Sequence, residues 1–284
     1  MAARSLLAKV VVYVILAALS ALFVMPLAWT ISTSLKPAAK TMELPPRWWP
    51  KPVVWRNYLD AMTYRSGELG YLPMLRQARN TLYLAVLSLT GTVISNALIA
   101  YGFARLRWRG RDVLFAITLA TMMVPFPVTM VSVFSVFKAL GWIGSFRPLW
   151  VPALFGSAFN IFLLRQFFLT IPRDLSDAAA IDGCSELRTF WHLILPLSRP
   201  ALAVVALFHF MYVWNDFLGP LIYLTDERMF TLSLGLQAYH SQHGGTEWHM
   251  LMAASMIVIT PLILLFFLTQ RTFIQGVRLT GLKG

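Results

Sequence analysis

The chain has 284 residues, of which 58% are hydrophobic and only 13% are charged, and its mean hydropathy is +0.65. Soluble domains use about 45–50% apolar and about 25% charged residues, so this composition excludes an ordinary soluble domain and indicates a membrane protein. The formal net charge of +12 could point to nucleic acid. However, the basic residues flank apolar stretches, which favours a role in membrane orientation, and no nucleic-acid partner is expected.

Six stretches of the chain contain no charged residue, and each predicts a membrane-spanning helix. A helix of about 20 residues crosses about 30 Å of hydrocarbon, so the fourth and fifth stretches are short and need a polar residue near one end. We therefore expect an all-α membrane protein with six transmembrane helices. The stretches are 10–35, 80–104, 113–137, 148–164, 200–215 and 250–270.

The first stretch is predicted to remain as an anchor. Its apolar run is longer than the about 7–15 residues of a signal-peptide core, and no small-residue cleavage site precedes Lys36. With the N-terminus inside, the inner segments are rich in arginine, whereas the two short outer loops hold only Lys138, Arg147 and Arg228. The long first outer segment is basic, but long segments translocate with less regard to charge. We expect a multi-pass protein of the cell (inner) membrane with both termini in the cytoplasm.

Polar and helix-breaking residues mark the second and third stretches. Gly91 and Ser95, four residues apart, favour close helix packing, while Asn96 fits either an interhelical hydrogen bond or a polar path for a substrate. Pro125 and Pro127 remove backbone donors in the third stretch and should kink or unwind its helix.

Sequence motifs for catalysis are missing. No stretch matches GxxxxGK[ST], so any ATP must be bound by another chain, and neither HExxH nor GxSxG is present. The outer-loop residues His240, His243, His249 and Glu247 lie in a glycine-containing loop that does not fix ligand geometry. We predict no metal site and no enzymatic activity.

The stretch "SDAAAIDGCSELRTFWHLILPLSRP", residues 176–200, carries more structural signals than a simple connector needs. Ser176 is a suitable N-cap, Asp177 places a carboxylate in the first helical turn, and Ala178–Ala180 are strong helix formers. Gly183 then allows the left-handed conformation that ends helices, and Ser185 can start a second helix. Two short helices are therefore predicted.

The second helix is predicted to support the first. Leu187, Phe190 and Ile194 fall on one helical face, and Pro196 should end the helix. The first helix is too short to be stable alone, so it must pack against this face, and its alanine-rich outer face fits a groove of another protein. Asp182 faces the unfavourable end of the helix dipole and needs a donor or cation from the second helix, Arg188 or a partner. An amphipathic hairpin on the inner leaflet is the alternative.

The same stretch resembles the EAA loop of bacterial and archaeal ABC-importer permeases, a Glu-Ala-Ala motif followed by Asp-Gly, Phe-x-x-Ile and Pro. Asp177 stands for the Glu and Cys184 for an Ala. The remaining matches are Ala178, Ala179, Asp182, Gly183, Phe190, Ile194 and Pro196.

Further segments extend the resemblance from about residue 76 to the end. "ARLRWRGRD", "LLRQFFLTIPRDL", "WNDFLGPLI", "LMAAS" and "QGVRLTGLKG" are similar to the second permease of maltose-type carbohydrate importers. The resemblance implies an ABC importer type-1 permease fold with a cytoplasmic coupling-helix loop at 174–200. It divides the chain into a first helix with an extracytoplasmic segment (1–75), a transmembrane domain (76–270) and a cytoplasmic tail (271–284).

The resemblance also implies the partners. Two non-identical permeases form the path for a sugar or sugar derivative, two ATPase subunits bind the loops, and an extracytoplasmic binding protein delivers the sugar. ATP and magnesium belong to the ATPase, and this chain binds no cofactor. The residues expected to dock on the ATPase are Ser176, Asp177, Ala178, Ala179, Asp182 and Gly183. Those expected to support the loop are Leu187, Phe190, Ile194 and Pro196.

Candidate residues for the substrate path come from the second and fifth stretches. A charged group inside the bilayer is costly, so Asp216 should face the bundle interior or water, and Trp214 and Asn215 precede it directly. These three residues either line the outer part of the path or form helix-to-helix bonds at the interface between the two permeases. His209 and Asn96 are weighed in the same way, as path residues or as hydrogen-bonded packing residues.

Two other functions compete with the importer permease. A stand-alone secondary transporter would need buried coupling-ion carboxylates and usually internal repeats. The sequence shows no repeat and almost no acidic residue within the apolar stretches. An accessory membrane scaffold would leave the loop at 174–200 unexplained.

Overall fold

A computed structural model describes residues 2–240 and 245–281, with side chains described for residues 8–240 and 245–270. Within these ranges the regular structure is helical, apart from one isolated bridge between His240 and Thr246. The all-α prediction is confirmed. His243, which was considered as a metal ligand, and the last three residues of the tail lie outside the described residues.

The described residues form fifteen α-helices. Short 3-10 segments and one π-helical turn, Phe190–Ile194, connect or extend them. The helices are α1 Ala2–Ser34, α2 Arg56–Thr63, α3 Ser66–Leu69, α4 Pro73–Ala104, α5 Arg111–Ala120, α6 Phe126–Ala139, α7 Arg147–Trp150, α8 Ala158–Thr170, α9 Arg173–Ile181, α10 Glu186–Thr189, α11 Leu195–Leu197, α12 Arg199–Asn215, α13 Leu218–Tyr223, α14 Leu232–Gly235 and α15 Trp248–Gly281.

Four helical runs in the described residues are long and apolar enough to cross a membrane, and two bent helix pairs raise the number to six if each pair counts as one span. The first bent pair corresponds to the third predicted span. The second pair combines the fifth predicted span with the second half of the loop at 174–200. The four runs are Ala8–Ser34, Pro73–Ala104, Arg147–Thr170 and Trp248–Gln270.

The third span is broken where the prolines predict it. A 3-10 turn, Thr121–Met123, follows α5, and α6 begins after Pro125, so that the two helices meet at an angle of 101°. Val124 is extended, as expected for a residue before proline. Pro127 lies in the first turn of α6, where a missing backbone donor costs little. The predicted kink is confirmed.

The fourth span is interrupted before α8. Gly156 adopts a φ of +82°, and a Cβ atom at this position would lie 2.7 Å from Cδ1 of Ile99 in α4. Both the backbone conformation and the close approach of α4 therefore require glycine here. The sequence predicts one continuous span here, because a single glycine does not by itself predict a break.

The chain divides into two compact units. Unit 1 comprises Met1–Leu75 and Gly235–Ile263, and unit 2 comprises Arg76–Leu234 and Leu264–Gly284. In unit 1, the buried Asn57 amide donates to the carbonyls of Ser34 and Lys36 at 2.8 Å each, and the Tyr239 hydroxyl donates to the Ala61 carbonyl at 2.7 Å. These bonds hold the segment after α1 in a defined conformation.

Unit 2 is built around α4. Its largest buried cluster combines residues of α4, α8 and α12 with residues of the loop at 174–200, and the alanines of α4 allow close helix approach. At the other end of α4, the Asn80 amide donates to the carbonyls of Arg228 and Phe230 at 2.9 and 3.0 Å. The buried cluster consists of Ala97, Ala100, Tyr101, Ala104, Leu164, Phe168, Ile171, Phe190, Ile194, Ala201 and Val205.

Candidate coupling site and transport path

Helix α9 forms the first half of the predicted coupling loop, and it begins earlier than predicted. Pro172 occupies the N-cap and Asp174 places its carboxylate in the first turn, so the helix starts at Arg173. The prediction that Ser176 is the N-cap is wrong. Ser176 lies inside the helix, and its hydroxyl oxygen is buried with no hydrogen-bond partner among the described residues. Asp177 accordingly lies in the second turn.

The C-terminus of α9 forms a Schellman motif. The Cys184 amide donates to the Ala179 carbonyl at 2.9 Å, and the Gly183 amide donates to the Ala180 carbonyl at 3.0 Å. Gly183 has a φ of +78°. The predicted helix end at Gly183 is confirmed, and it satisfies two carbonyls that the helix would otherwise leave unpaired.

The second half of the loop packs into the core of unit 2, but through a different face than predicted. Ser185 caps α10 by accepting a hydrogen bond from the Arg188 amide at 3.4 Å, as predicted. Phe190 is 1% exposed and Ile194 is fully buried, whereas Leu187 is 61% exposed. The prediction is wrong for Leu187. The π-helical turn at 190–194 contains an extra residue, which changes the register of Ile194 relative to Leu187.

Pro196 gives a physical reason for that wider turn. In a regular α-helix, a proline ring clashes with the carbonyl four residues earlier, and the π-helical turn directly precedes Pro196. The helical run ends one residue later at Leu197, and α12 leaves at an angle of 79°. The predicted helix end near Pro196 is therefore found one residue beyond it.

Two side chains at the end of α4, Tyr101 and Arg105, bind the chain on both sides of α9. We call this pair the α4 clamp. The Tyr101 hydroxyl donates to Oε2 of Glu186 at 2.5 Å and to its carbonyl at 3.3 Å, and Nη2 of Arg105 donates to the Ile171 carbonyl at 2.6 Å. Burial and the neighbouring Arg173 lower the pKa of Arg105, while Tyr101 and Asp177 act in the opposite direction. The sequence alone does not reveal the clamp. Arg105 is 66 residues from Ile171 along the chain, and Tyr101 is 85 residues from Glu186.

Replacing Tyr101 by phenylalanine should make α9 and α10 open more often. The change removes the donor to Glu186, and a hydrogen bond of this kind contributes about 1 kcal/mol. We expect the amides of α9 and α10 to exchange with solvent about fivefold faster, measured by hydrogen–deuterium exchange.

Tyr83 offers the matched control for this change. It lies on the same helix, and its ring packs against Phe146. No hydrogen bond of its hydroxyl is found in the described structure, so Tyr83→Phe should leave the exchange of α9 and α10 unchanged. Equal exchange in Tyr101→Phe and the unmodified chain would contradict the role of the clamp.

The outer side of α9 is open. Asp177, Ala178 and Asp182 are exposed, and Ile181 is 86% exposed, while Ala179 is half-buried. Within the described part of the chain, the Asp182 carboxylate has no hydrogen bond or ion pair, so neither the α10 amides nor Arg188 is its partner. This exposed surface remains available to another protein.

Three residues predicted for the substrate path are held in contacts between or within helices. The Asn96 amide is buried, accepting from the Ser157 backbone amide at 2.8 Å and donating to the Thr92 carbonyl at 2.6 Å. Nε2 of His209 lies 3.2 Å from Oγ1 of Thr92 and links α12 to α4. Trp214 is buried, with its ring 5.2 Å from that of Phe210. Asn96 and His209 thus make the contacts between segments that the packing alternative expects, while the Trp214 ring contact lies within α12.

The remaining two predicted path residues differ from each other. Oδ1 of Asp216 accepts from the amide of Gly219, in the first turn of α13, at 3.0 Å. Asn215 is exposed, with its amide nitrogen donating to the Met211 carbonyl at 2.8 Å. It shares an exposed face of α12 with Phe208, Met211 and Tyr212, and Tyr212 is 66% exposed. Their spacing of three and four residues is a signal that sequence reasoning could have used.

Among the described residues, no group of three or more His, Cys, Asp or Glu side chains is placed to hold a metal ion.

Comparison with known proteins identifies the family. A family model described as "Binding-protein-dependent transport system inner membrane component" matches residues 85–279. The arabinooligosaccharides transport system permease protein AraQ of Bacillus subtilis is 32% identical over 268 residues, covering 94% of this chain and 92% of the relative. The osmoprotective compounds uptake permease protein GgtD of Synechocystis sp. is 31% identical, covering 97% and 92%. The sn-glycerol-3-phosphate transport system permease protein UgpE of Pectobacterium atrosepticum is 33% identical, covering 78% and 79%.

The fold matches that of a solved transporter. A chain of a bacterial ABC transporter involved in the import of the acidic polysaccharide alginate superposes with a TM-score of 0.80, covering 93% of this chain and 95% of that chain. The sequence identity of 22% means that this match concerns the fold alone. The predicted ABC importer permease fold is confirmed.

The match over residues 85–279 and the relatives above 30% identity over most of their length lead to one conclusion. This chain belongs to the binding-protein-dependent transport system inner membrane components, and it is a non-catalytic, membrane-spanning permease subunit of an ATP-driven importer.

Proposed function

We propose that this permease imports a carbohydrate or carbohydrate derivative that an extracytoplasmic binding protein delivers. The likeness to AraQ, named for arabinooligosaccharides, over 94% of the chain carries this proposal. A second solved structure of the alginate transporter, in complex with an alginate pentasaccharide-bound periplasmic protein, matches with a TM-score of 0.66. A second, non-identical permease and two ATPase subunits complete the assembly.

The exposed face of α12 is the proposed contribution of this chain to the substrate path. It presents the aromatic ring of Tyr212 and the amide of Asn215, with Phe208 and Met211 beside them. Aromatic faces and side-chain amides suit a sugar, because they combine stacking against apolar ring carbons with hydrogen bonds to hydroxyl groups. This face adds Phe208, Met211 and Tyr212 to the path residues predicted from the sequence.

The exposed side of α9 is the proposed docking surface for the ATPase. Asp177, Ala178, Ile181 and Asp182 project from it, and small side chains beside exposed carboxylates fit a groove that offers cationic or amide donors. The ATPase then supplies the missing partner of Asp182. ATP and magnesium are held by the ATPase, with this chain binding neither.

The proposed orientation places α9 and both termini in the cytoplasm. The arginines of the loop at 105–111 and of α9 lie on the same side as the docking surface, in agreement with the excess of basic residues in cytoplasmic segments. Cysteine labelling from either side of the membrane, through a cysteine introduced at Arg109, would check this orientation.

The function is tested by reconstituting the complete transporter in proteoliposomes. Co-expression with its ATPase, second permease and binding protein should give a complex whose ATP hydrolysis rises with the loaded binding protein and whose uptake requires ATP. Uptake by this chain alone without ATP would instead establish the secondary transporter. Screening the binding protein against oligosaccharides and against glycerol 3-phosphate separates the carbohydrate proposal from the activity for which UgpE is named.

A further inference from the structure

A pocket of about 470 Å³ lies between the loop after α4 and the start of α9. Its lining includes Arg107, Trp108, Arg111, Asp112 and Arg173. A neighbouring cavity of about 620 Å³ shares Arg107, Trp108 and Arg173 with it and extends along α9. The pocket contains none of the α9 residues proposed to meet the ATPase, whereas the neighbouring cavity is lined in part by Ser176 and Asp177.

The charges of the pocket are unbalanced. It contains three arginines and one aspartate, and Nε of Arg111 already pairs with Oδ1 of Asp112 at 2.9 Å. Arg107 and Arg173 have no hydrogen bond or ion pair within the described part of the chain. Arg173 also faces Arg105, whose pKa it helps to lower after the larger effect of burial. A bound anion would relieve this repulsion.

Two buried polar atoms of the neighbouring cavity reinforce the need for a ligand or solvent there. Nε of Arg105 and Oγ of Ser176 are both buried, and neither has a hydrogen-bond partner among the described residues. Both residues line the cavity that opens beside Arg107 and Arg173. The carboxylates of Asp177 and Glu186 line the same cavity, whereas the other pocket, which holds Arg107 and Arg173, has Asp112 as its one acidic lining residue.

The position of the pocket near the helix ends indicates that it lies at the depth of the lipid headgroups. Arg107 follows the end of α4 by three residues, Arg173 follows the end of α8 by three residues, and Arg111 begins α5. The polar layer extends about 5–8 Å beyond the hydrocarbon on each side, within reach of these positions. Trp108 is fixed there, since its indole donates to the Gly102 carbonyl at 3.1 Å, and tryptophan is typical of this layer.

We propose that this pocket binds a phosphate group, held by Arg107 and Arg173, and that the headgroup of an anionic phospholipid supplies it. A guanidinium group offers two parallel donors that match phosphate oxygens, and a basic pocket between transmembrane helices is suited to anionic headgroups. Free phosphate shares this chemistry. Because Arg173 is the first residue of α9, the bound headgroup also fixes the start of the coupling helix to the membrane surface.

The test measures lipid retention by the assembled, detergent-purified transporter with native mass spectrometry. Equal amounts of phosphatidylglycerol and phosphatidylcholine are offered, and we expect preferential retention of phosphatidylglycerol. The double variant Arg107→Gln/Arg173→Gln should weaken this retention roughly tenfold, since each arginine near the surface contributes to anionic-lipid binding. Both side chains are exposed, so the substitutions leave the core intact.

The same experiment includes a control variant and outcomes that would contradict the proposal. Arg109→Gln/Arg199→Gln removes two exposed charges outside the pocket and should keep the preference. Equal loss in this control, or no lipid preference and no binding of inorganic phosphate by the unmodified transporter, would overturn the proposal. Saturable binding of inorganic phosphate that depends on Arg107 and Arg173, without lipid preference, would keep the phosphate site and assign it to the free ion.

Discussion

Replacing Gly183 by proline is expected to abolish the stimulation of ATP hydrolysis by the loaded binding protein. Gly183 has a φ of +78°, whereas proline is fixed near −65°, and its amide donates to the Ala180 carbonyl. The variant loses both the turn and the hydrogen bond, at a cost of about 3 kcal/mol or more. Helix α9 can then no longer end at Ile181 with Asp182 as its C-cap, so the orientation of the docking surface changes.

Asparagine and alanine at the same position provide graded controls. Asparagine tolerates the left-handed conformation and keeps the amide donor, so Gly183→Asn should retain most of the stimulation. Alanine should cost about 1 kcal/mol and give an intermediate result. No atom lies within 4 Å of a Cβ built at Gly183, so the series reports backbone conformation without a steric clash. Full stimulation in Gly183→Pro would refute the proposed role of the turn.

The second large effect is expected from Phe190→Ala. Phe190 is 1% exposed and packs against the Tyr101 ring at 5.1 Å within the main cluster of unit 2. Truncating a buried phenylalanine leaves a cavity and costs about 3–5 kcal/mol. We expect the free energy of unfolding in detergent to fall by this amount, measured by denaturant titration monitored by fluorescence.

Two exposed neighbours of Phe190 serve as controls. They test whether the loss of stability comes from the burial of the side chain or only from its position in the loop. Trp191 is 47% exposed and Leu187 is 61% exposed. Trp191→Ala and Leu187→Ala should therefore each change the free energy of unfolding by less than about 1 kcal/mol. Equal destabilisation by Leu187→Ala and Phe190→Ala would contradict the π-helical turn. It would instead support the buried face of Leu187, Phe190 and Ile194 that the sequence predicts.

Sequence reasoning succeeded where one local signal determines the structure. The apolar stretches predicted the spans, Pro125 predicted the break in the third span, and Gly183 predicted the end of α9. Each of these signals acts through composition or backbone geometry within a few residues. The EAA resemblance added the family, which the comparisons confirm.

The errors came from competing local signals and from partners distant in sequence. Pro172 and Asp174 start α9 before Ser176 can cap it, and the π-helical turn before Pro196 changes the register that placed Leu187 inside. A polar residue in a span fits both packing and transport. Only the structure shows that Asn96 meets Ser157, 61 residues away, and that His209 meets Thr92, 117 residues away.

The length and continuity of α4 allow it to transmit force between its two ends. It runs without interruption for 32 residues, about 48 Å, and is bonded near one end to the segment around α9 and near the other to the Arg228 and Phe230 carbonyls. A continuous α-helix shortens very little under load. A displacement of the segment around α9 is therefore expected to be transmitted along α4 to the segment that holds the Arg228 and Phe230 carbonyls.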